Sequence, residues 1–484
     1  NHSYLDNPTF RGMRQSLMKT FDEIYILDLH GNSLKKETAP DGSPDENVFD
    51  IRQGVAIAVF IKNNQDKENM IFHRDLFGSR EFKYEWLREQ AFSQNNYEKL
   101  FPVSPYYFFV PSKTKEISHY LDWMKINEIF PVNSVGIVTA RDKLTIHWNK
   151  QETWNIVLSF LNYEPETARL IFNLGKDARD WKVILAQQDL KNSGPDKNNI
   201  VPILYRPFDV RYTYYTGKSR GFLCMPRPEV MRHMLKDNLG LLCKRQGKRK
   251  PYSYFFISDI ICESCVFESA FANNTVFPLY LYIDENKKDL YTTESDNKKP
   301  NISPKIYNGI ENAYGQKISP EDILNYIYGV FYSNIYRETY AEFLEYDFPR
   351  VPFTADGALF QQIAALGKRL IDLHLLRSPE LEQPIARFEG KGEDLTITTP
   401  KYDPKTSRVW INATHYLEGI APEVWHYQIG GYQVLDKYLK ERKSRSLEDP
   451  RHILRVATAL AKTIEVQHEI DALYPRVEEN LITF

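Results

Sequence analysis

Arginine and aromatic side chains alternate through one stretch of the sequence, and together they suit a polyanion. Between Ile203 and Lys250 there are 12 Lys or Arg residues against 3 Asp or Glu residues. Cationic groups bond phosphate oxygens, arginine can also bond guanine, and aromatic rings pack on sugars or bases. The pattern predicts contact with nucleic acid, although a solvated basic face over a tyrosine-rich core would give the same pattern. The candidate contacts are Arg206, Arg211, Tyr214, Arg220, Arg227, Lys244, Arg245, Gln246, Lys248 and Arg249.

A further candidate for base contact is Gln433, which follows the pair Gly430-Gly431. Glutamine can form two hydrogen bonds with adenine, and glycine gives a loop the backbone freedom to enter a groove. A turn that joins two helices accounts for the same residues, so both interpretations stand.

The cysteines form only part of a metal-binding pattern. Cys262 and Cys265 make a C-x-x-C pair, but Cys224 and Cys243 are widely spaced and no second pair occurs. A zinc site built from all four is the alternative to four ordinary thiols. We expect reduced cysteines, as in a cytoplasmic protein, and no metal site. The isolated histidines, which we expect to be ordinary, are His73, His233 and His374.

The composition describes a globular chain. Its 484 residues predict two or three domains, and 42% of them are hydrophobic. The net charge is only −2, so positive charge must be localised if it binds a polyanion. No apolar run is long enough to predict a membrane span, and the first residues have no signal-peptide pattern.

The elements at the amino-terminal end alternate between helix and strand. Asn7 followed by Pro8 predicts a helix start, because asparagine caps and proline fits the first turn. Glu23–Leu29 predicts a buried strand, and the apolar run Val55–Ile61 predicts a strand covered on both faces. The alternation indicates the last third of a doubly wound α/β sheet. The apolar face of the helix is predicted at Phe10, Met13 and Leu17.

Beyond Ser319 the pattern becomes helical. Apolar residues recur every three or four positions, which places them on one face of a helix. The two clearest series are Leu359, Ile363, Leu366, Leu370 and Leu373, then Val456, Leu460 and Ile464.

Two short sequences imitate known motifs without completing them. Gly217-Lys218-Ser219 ends like a phosphate-binding loop, but Tyr212 stands where that loop needs its first glycine. Asn7–Phe10 (NPTF) is similar to an N-P-P-Y/F tetrad, but it lacks the second proline and opens a predicted helix. We expect neither nucleotide binding at the first nor catalysis at the second.

Three amino-terminal segments carry a family resemblance. FRGMRQSLMKTF (Phe10–Phe21), IYILDLHGN (Ile24–Asn32) and DENVFDIRQGVAIAVFIK (Asp45–Lys62) resemble the distal motifs of N6-adenine DNA methyltransferases. They are most similar to those fused into single-chain type I-like (type ISP) and type IIG restriction-modification enzymes. The resemblance implies a Rossmann-like sheet in which Phe49 stacks on a flipped-out adenine. A core phenylalanine is the alternative for Phe49.

Later segments continue the resemblance. Tyr205–Leu235, Phe348–Leu376 and Pro422–Lys443 resemble the target-recognition region of the same enzymes. The implied fold class is α/β, with the distal part of a Rossmann-like methyltransferase sheet before a mixed α/β recognition domain and a helical carboxy-terminal part. The implied domains are the methyltransferase part at 1–80, the recognition domain at 81–300 and the helical part at 301–484.

The resemblance also implies partners and a cofactor. In the intact bacterial cytoplasmic enzyme, S-adenosylmethionine would methylate adenine N6 in double-stranded DNA. Neither a glycine-rich S-adenosylmethionine loop nor an N-P-P-Y/F tetrad occurs in this chain. The resemblance implies that upstream methyltransferase segments would supply them, and it leaves open whether nuclease and motor domains belong to the same polypeptide. This chain alone would be inactive. The alternative is a non-catalytic DNA- or RNA-binding scaffold derived from a methyltransferase.

Overall fold

The computed structural model divides the chain into two compact units, Asn1–Asp122 and Trp123–Phe484. Two of the predicted contacts, Lys248 and Arg249, lie outside the residues that it describes. The described residues are 1–33, 37–63, 69–104, 106–111, 118–247, 251–267, 273–283 and 297–484.

The described part of the first unit contains a four-stranded sheet and two α-helices. Its elements are α1 (Arg11–Thr20), β1 (Glu23–Asp28), β2 (Ala56–Ile61), β3 (Met70–Asp75), α2 (Arg80–Glu89) and β4 (Glu98–Leu100). The strand order is β2-β1-β3-β4, with β1 parallel to β3 and the two outer pairs antiparallel. Because β4 pairs with β3, the sheet extends beyond residue 80, where we expected a domain to end.

Strand β1 is the buried centre of this sheet, as its apolar sequence predicts. Ile24 and Ile26 pack on one face against Leu5 and Phe109. Leu27 belongs to a separate cluster that includes Val48 and Leu76. Since successive side chains of a strand point to opposite faces, both faces of β1 are covered.

The prediction that the Val55–Ile61 run is covered on both faces is wrong. In the described residues its strand, β2, pairs only with β1 and forms one edge of the sheet. Ile57 and Val59 are exposed there. An unbroken apolar run fixes neither the position of a strand in a sheet nor what covers it, because both depend on distant segments.

The predicted helix start at Asn7 is confirmed, but the buried face of the helix differs from the prediction. The Asn7 side chain accepts a hydrogen bond from Thr9 N at 2.9 Å, and one 3₁₀ turn leads into α1. Met13 is exposed, whereas Arg14 is buried and donates to Tyr106 O at 2.7 Å. A cation that satisfies buried carbonyl groups thus occupies the inward face beside Leu17.

The second unit combines small sheets with a helical layer. Its strands are β5 (Met124–Lys125), β6 (Ser134–Val135), β7 (Ile200–Arg206), β8 (Asp209–Tyr214), β9 (Gly240–Lys244), β10 (Phe255–Ser258), β11 (Ile261–Cys262), β12 (Asn274–Pro278), β13 (Tyr280–Tyr282), β14 (Lys298–Pro300), β15 (Arg350–Val351), β16 (Arg387–Gly390), β17 (Lys401–Asp403), β18 (Arg408–Trp410), β19 (His415–Glu418), β20 (Gln428–Ile429) and β21 (Tyr432–Gln433). Its helices are α3 (Ile126–Ile129), α4 (Asp142–Thr145), α5 (Lys150–Asn162), α6 (Pro165–Ile171), α7 (Val183–Ser193), α8 (Pro228–Met234), α9 (Pro304–Tyr314), α10 (Pro320–Tyr332), α11 (Asn334–Thr339), α12 (Ala341–Leu344), α13 (Gly357–His374), α14 (Pro422–Trp425), α15 (Val434–Glu441) and α16 (Pro450–Val477).

Among the described residues, three sheets of this unit have three or four strands, and two of them carry the predicted contacts Arg206, Arg211, Tyr214 and Lys244. Their strand orders are β11-β7-β8, β10-β9-β12-β6 and β16-β19-β18-β17. The basic stretch therefore folds as strands β7, β8 and β9 with α8 between them, and strand pairing decides which of its side chains turn inward.

The two predicted apolar series lie on α13 and α16, where most of their members are buried; Leu366 and Ile464 are only partly buried. Helix α13 packs against α10 and α16, and it buries Leu359, Ile363 and Leu370. The contact with α10 is close at Gly367, where a Cβ atom would lie 1.8 Å from Asn325 O. No described helix combines the length and the apolar character that crossing a membrane requires.

Candidate nucleic-acid interface

Phe49 projects from a loop whose backbone is held by Asn47. The Phe49 residue is 55% exposed. The Asn47 side chain accepts a hydrogen bond from Phe49 N at 2.8 Å and donates to Gly31 O and Gln53 O at 3.1 and 2.7 Å. The loop is thereby tied to the segment after β1. An exposed ring on a fixed backbone can stack against a flat partner, and the prediction of a core phenylalanine does not fit this exposure.

Two cations from α2 hold the same loop, and the sequence analysis missed both. Lys83 is buried, with Nζ 2.7 Å from Asp45 Oδ1, and it also donates to Leu29 O at 2.7 Å. Arg80 Nε donates to Asn47 O at 2.7 Å. The two cations lie three residues apart on one helix face. That spacing was visible in the sequence, but nothing in it indicated what the face would contact.

Two predicted contact residues, Arg206 and Arg211, are interior residues. Arg206 Nη1 lies 3.0 Å from Glu263 Oε2, and both side chains are buried. Burial raises the pKa of the Glu263 carboxyl, and the charge of Arg206 opposes that rise. Arg211 is buried between Asp209 at 2.9 Å and Glu441 at 3.1 Å. Guanidinium groups paired in this way are not available to phosphate, which corrects the prediction for both.

Tyr214 and Lys244 are also buried, contrary to the prediction. The Tyr214 hydroxyl donates to Gly194 O at 3.0 Å and accepts from Asp196 N at 3.0 Å. Lys244 Nζ lies 4.9 Å from the centre of the Tyr254 ring. Both residues are almost completely buried, so their side chains serve the interior.

The remaining predicted contacts are nearer the surface. Arg245 is exposed, with Nε 3.3 Å from Asp347 Oδ1. The Gln246 side chain donates to Tyr346 O at 3.1 Å, and the Gln433 side chain donates to Trp425 O at 2.6 Å. Gln433 directly precedes α15 and closes a tight β20–β21 turn. The structure therefore favours the turn interpretation for Gln433.

The structure brings Arg220 and Arg227 together. Both line a surface cleft of about 210 Å³ together with Asp180 and Glu229. The Arg220 side chain is 65% exposed, and its Nη2 lies 3.4 Å from Asp180 Oδ1. Among the described atoms, Arg227 Nε is buried and has no hydrogen-bond partner. Arg220, which has a long ion pair, and Arg227, whose Nε has no hydrogen-bond partner among the described atoms, therefore line the same cleft.

A larger cavity, of about 480 Å³, contains cations that the sequence analysis did not single out. Arg442 Cζ and Arg445 Cζ lie 4.9 and 4.8 Å from the Trp148 ring centre. Arg442 pairs with Asp209 at 2.7 Å. The basic residues at 440–445 were visible in the sequence. Their contact with Trp148 was not predictable, because it joins segments that are almost 300 residues apart.

The four cysteines are free thiols. Cys262 Sγ donates to Ile260 O at 3.3 Å, and Cys224 Sγ donates to Asp180 O at 3.3 Å. Burial raises the pKa of Cys262 to about 12, which keeps this thiol protonated and unreactive.

Residues 128–471 match the model of the type ISP C-terminal specificity domain. The chain belongs to the type ISP specificity family. The matched region includes both the Arg220–Arg227 cleft and the Trp148 cavity, whereas the Phe49 loop precedes it. No curated protein matches the chain.

Three solved structures are similar in fold to this chain. The DrdV–DNA complex is 24% identical, with a TM-score of 0.66, and the match covers 98% of this chain and 50% of that one. A nuclease-deletion mutant of the type ISP enzyme LlaGI, in complex with a DNA substrate mimic, is 21% identical with a TM-score of 0.64 over 97% of this chain and 45% of that one. The ATP-dependent type ISP enzyme LlaBIII bound to DNA is 20% identical with a TM-score of 0.67 over 97% and 33%.

These likenesses place the observed mixture of small sheets and helices among type ISP enzyme domains. The match covers nearly all of this chain in each case, so both units take part in it. The type ISP chain described here spans a third to a half of the length of the solved structures.

Proposed function

We propose that this chain is the DNA-reading part of a type ISP restriction-modification enzyme. The observation that carries the proposal is the position of the Arg220–Arg227 cleft inside the matched specificity region. The likeness to enzymes solved with DNA supports it. Motor, nuclease and methyltransferase activities would reside in other parts of the same polypeptide.

In this proposal the Arg220–Arg227 cleft contacts the phosphate backbone. A phosphate oxygen would replace Asp180 as the partner of Arg220, because the present 3.4 Å ion pair is long and exposed. The same oxygen or its neighbour would supply a partner for Arg227 Nε. Charge-assisted hydrogen bonds of this kind fix the register of a protein on a duplex before any base is read.

We assign the flipped base to Phe49. An enzyme that modifies adenine N6 must take the base out of the duplex, and an aromatic face offsets part of the lost stacking. The Phe49 ring is exposed on a loop fixed by Asn47, Lys83 and Arg80, so stacking would require little rearrangement. The parallel pair β1 and β3 supports the further proposal that this unit is part of a Rossmann-like methyltransferase sheet.

The Gly31 turn after β1 does not fit S-adenosylmethionine. After β1, Gly31 has a positive φ of 80°, but its backbone is already covered: a Cβ there would lie 2.4 Å from Asn47 Cα. That turn leaves no cradle for a cofactor. We therefore assign cofactor binding and methyl transfer to another part of the enzyme, in the bacterial cytoplasm, and derive no step through the cofactor.

Salt-dependent DNA binding by the full chain tests the proposal. Short labelled duplexes with a randomised centre would be selected for binding, and fluorescence anisotropy would give Kd between about 50 and 200 mM salt. We expect binding that weakens steeply with salt and survives competition by structured RNA. Absent or salt-independent duplex binding would contradict the proposal. Preferential displacement by RNA would support the scaffold alternative instead.

A further inference from the structure

Three potential metal ligands meet at the carboxyl ends of two parallel strands. Asp28 ends β1 and is the register partner of Asp75, which ends β3. His73 lies two residues before Asp75 and therefore on the same face of β3. One ligand atom from each of the three side chains lies within 4.8 Å of the other two. Crevices outside the carboxyl ends of parallel strands are favoured ligand sites in α/β proteins.

His73 is the unusual member of the group. It is 1% exposed, and neither Nδ1 nor Nε2 has a hydrogen-bond partner among the described residues. Its Nε2 lies 3.7 Å from Asp75 Oδ1, which is too long for a hydrogen bond. A buried imidazole without partners costs free energy unless a ligand satisfies it, and one of its ring nitrogens lies within 4.8 Å of a ligand oxygen of each carboxylate.

Both carboxylates are already oriented by other groups. His2 Nδ1 lies 2.9 Å from Asp28 Oδ1, and His30 N donates to the same oxygen at 3.0 Å. His30 Nε2 lies 2.8 Å from Asp75 Oδ1. Carboxylates that bind metals are commonly oriented by hydrogen bonds from neighbouring groups, which reduces the cost of organising the site.

We propose that Asp28, His73 and Asp75 bind one divalent transition-metal ion of the zinc class. One imidazole nitrogen with two carboxylate oxygens excludes the all-oxygen set that Mg²⁺ and Ca²⁺ prefer and suits Zn²⁺, with water completing the coordination. The Asp75 side chain is 40% exposed and gives the ion a route from solvent. His73 Nε2 and Asp75 Oδ1 are 3.7 Å apart, and a small shortening of this distance would let both atoms bind the same ion.

The ion would stabilise the carboxyl ends of the two central strands, next to the segment that holds the Phe49 loop. It would join the ends of β1 and β3, and Gly31, three residues after Asp28, accepts the Asn47 hydrogen bond. The role is structural, and it does not depend on whether the chain binds DNA.

Metal titration of the full chain tests the inference. After treatment with a chelator and its removal, Zn²⁺ would be added in a calorimeter, and Co²⁺ would be added as a spectroscopic probe. We expect one Zn²⁺ per chain, a rise in Tm on binding, and visible Co²⁺ absorption typical of a mixed nitrogen and oxygen set. No stoichiometric binding of either ion would overturn the proposal.

Two substitutions locate the ion. Asp75→Asn is partly exposed and isosteric, so folding should survive, and we expect Zn²⁺ affinity to fall by about a hundredfold, as for loss of a supporting or ligating group. Asp41→Asn, an exposed carboxylate elsewhere in the same unit, is the matched control and should leave affinity unchanged. His73→Gln should abolish the Co²⁺ spectrum. Unchanged binding in Asp75→Asn, or loss only in His2→Gln, would overturn the assignment to these three ligands.

Discussion

Lys83 Nζ lies 2.7 Å from Asp45 Oδ1, and both side chains are completely buried. The pair joins α2 to the loop that carries Phe49. Lys83→Met would leave the Asp45 carboxylate buried without its cation, which costs about 3–5 kcal/mol in comparable pairs. We expect chemical denaturation of the full chain to show a loss of this size in the transition of the first unit.

The partly exposed cation on the same helix face, Arg80, is the comparison for Lys83. Arg80 pairs with the exposed Asp50 and donates to Asn47 O, so Arg80→Met should cost about 1–2 kcal/mol, less than Lys83→Met. The double variant Lys83→Met with Asp45→Asn should recover part of the lost stability, because it removes both charges while the amide oxygen still accepts one of the backbone N–H groups of Gly31 and Gly78. A single Lys83→Met variant as stable as Arg80→Met would refute the structural role of the pair.

Phe49→Ala should separate methylation from folding. The ring is exposed, so its loss should change the free energy of unfolding by less than about 0.5 kcal/mol. In a polypeptide that also carries the remaining domains of a type ISP enzyme, we expect methyl transfer to adenine to fall more than duplex binding. Radiolabelled methyl transfer and anisotropy would measure the two. Phe92→Ala, also exposed and aromatic, is the control, and equal losses in both variants would contradict base stacking by Phe49.

Arg220→Gln and Arg227→Gln should each reduce the slope of log Kd against log salt by about 1, because each removes one phosphate contact. The measurement is the same anisotropy series as for the unsubstituted chain. Arg387→Gln, an exposed arginine on β16, should leave the slope unchanged. A slope that responds to Arg387 as much as to the cleft residues would assign the salt dependence to overall charge.

Arg206→Gln should affect stability and leave the salt slope unchanged. The substitution leaves Glu263 buried without its cation, with an expected cost of about 3–5 kcal/mol. Denaturation would measure the cost, and duplex binding at a temperature where the variant remains folded would measure the slope. A reduced slope with unchanged stability would return Arg206 to the DNA-binding surface.

Gly367→Ala tests the close contact between α13 and α10. Its Cβ would lie 1.8 Å from Asn325 O, a backbone atom that cannot move alone, so we expect a loss of at least about 1–3 kcal/mol from overpacking. Gly12→Ala in α1 has open space around the new methyl group and should instead gain about 0.5–1 kcal/mol from helix propensity. Thermal unfolding of the two variants should therefore shift in opposite directions.

Local patterns in the sequence predicted local structure well. The apolar run at Glu23–Leu29, the Asn7 cap and the α13 periodicity depend on neighbouring residues, and all three are present in the structure. The long motifs also carried the type ISP resemblance, which the match over residues 128–471 confirms. The position of β2 at the edge of its sheet was missed, because strand order is a property of the assembled sheet.

The same limit applies to the site. Type and spacing gave Arg206, Arg211 and Arg220 equal standing as phosphate contacts. The three arginines differ in their ion-pair partners. Arg206 and Arg211 are buried and pair with Glu263 and Glu441, whereas Arg220 remains at the surface. The number of charges in a segment can be counted from the sequence. Whether each charge can bind a phosphate depends on the side chains that surround it in the folded structure.

By itself the sequence determined several of the helices and strands, the family, and a concentration of cations beside aromatic residues. The tertiary structure alone decided which cations are exposed, that Phe49 is held outward by Lys83 and Arg80, and that His73 meets Asp28 and Asp75. Helix and strand preferences act over a few residues, whereas ion pairing, burial and ligand geometry require side chains from segments far apart to reach within a few ångströms of one another.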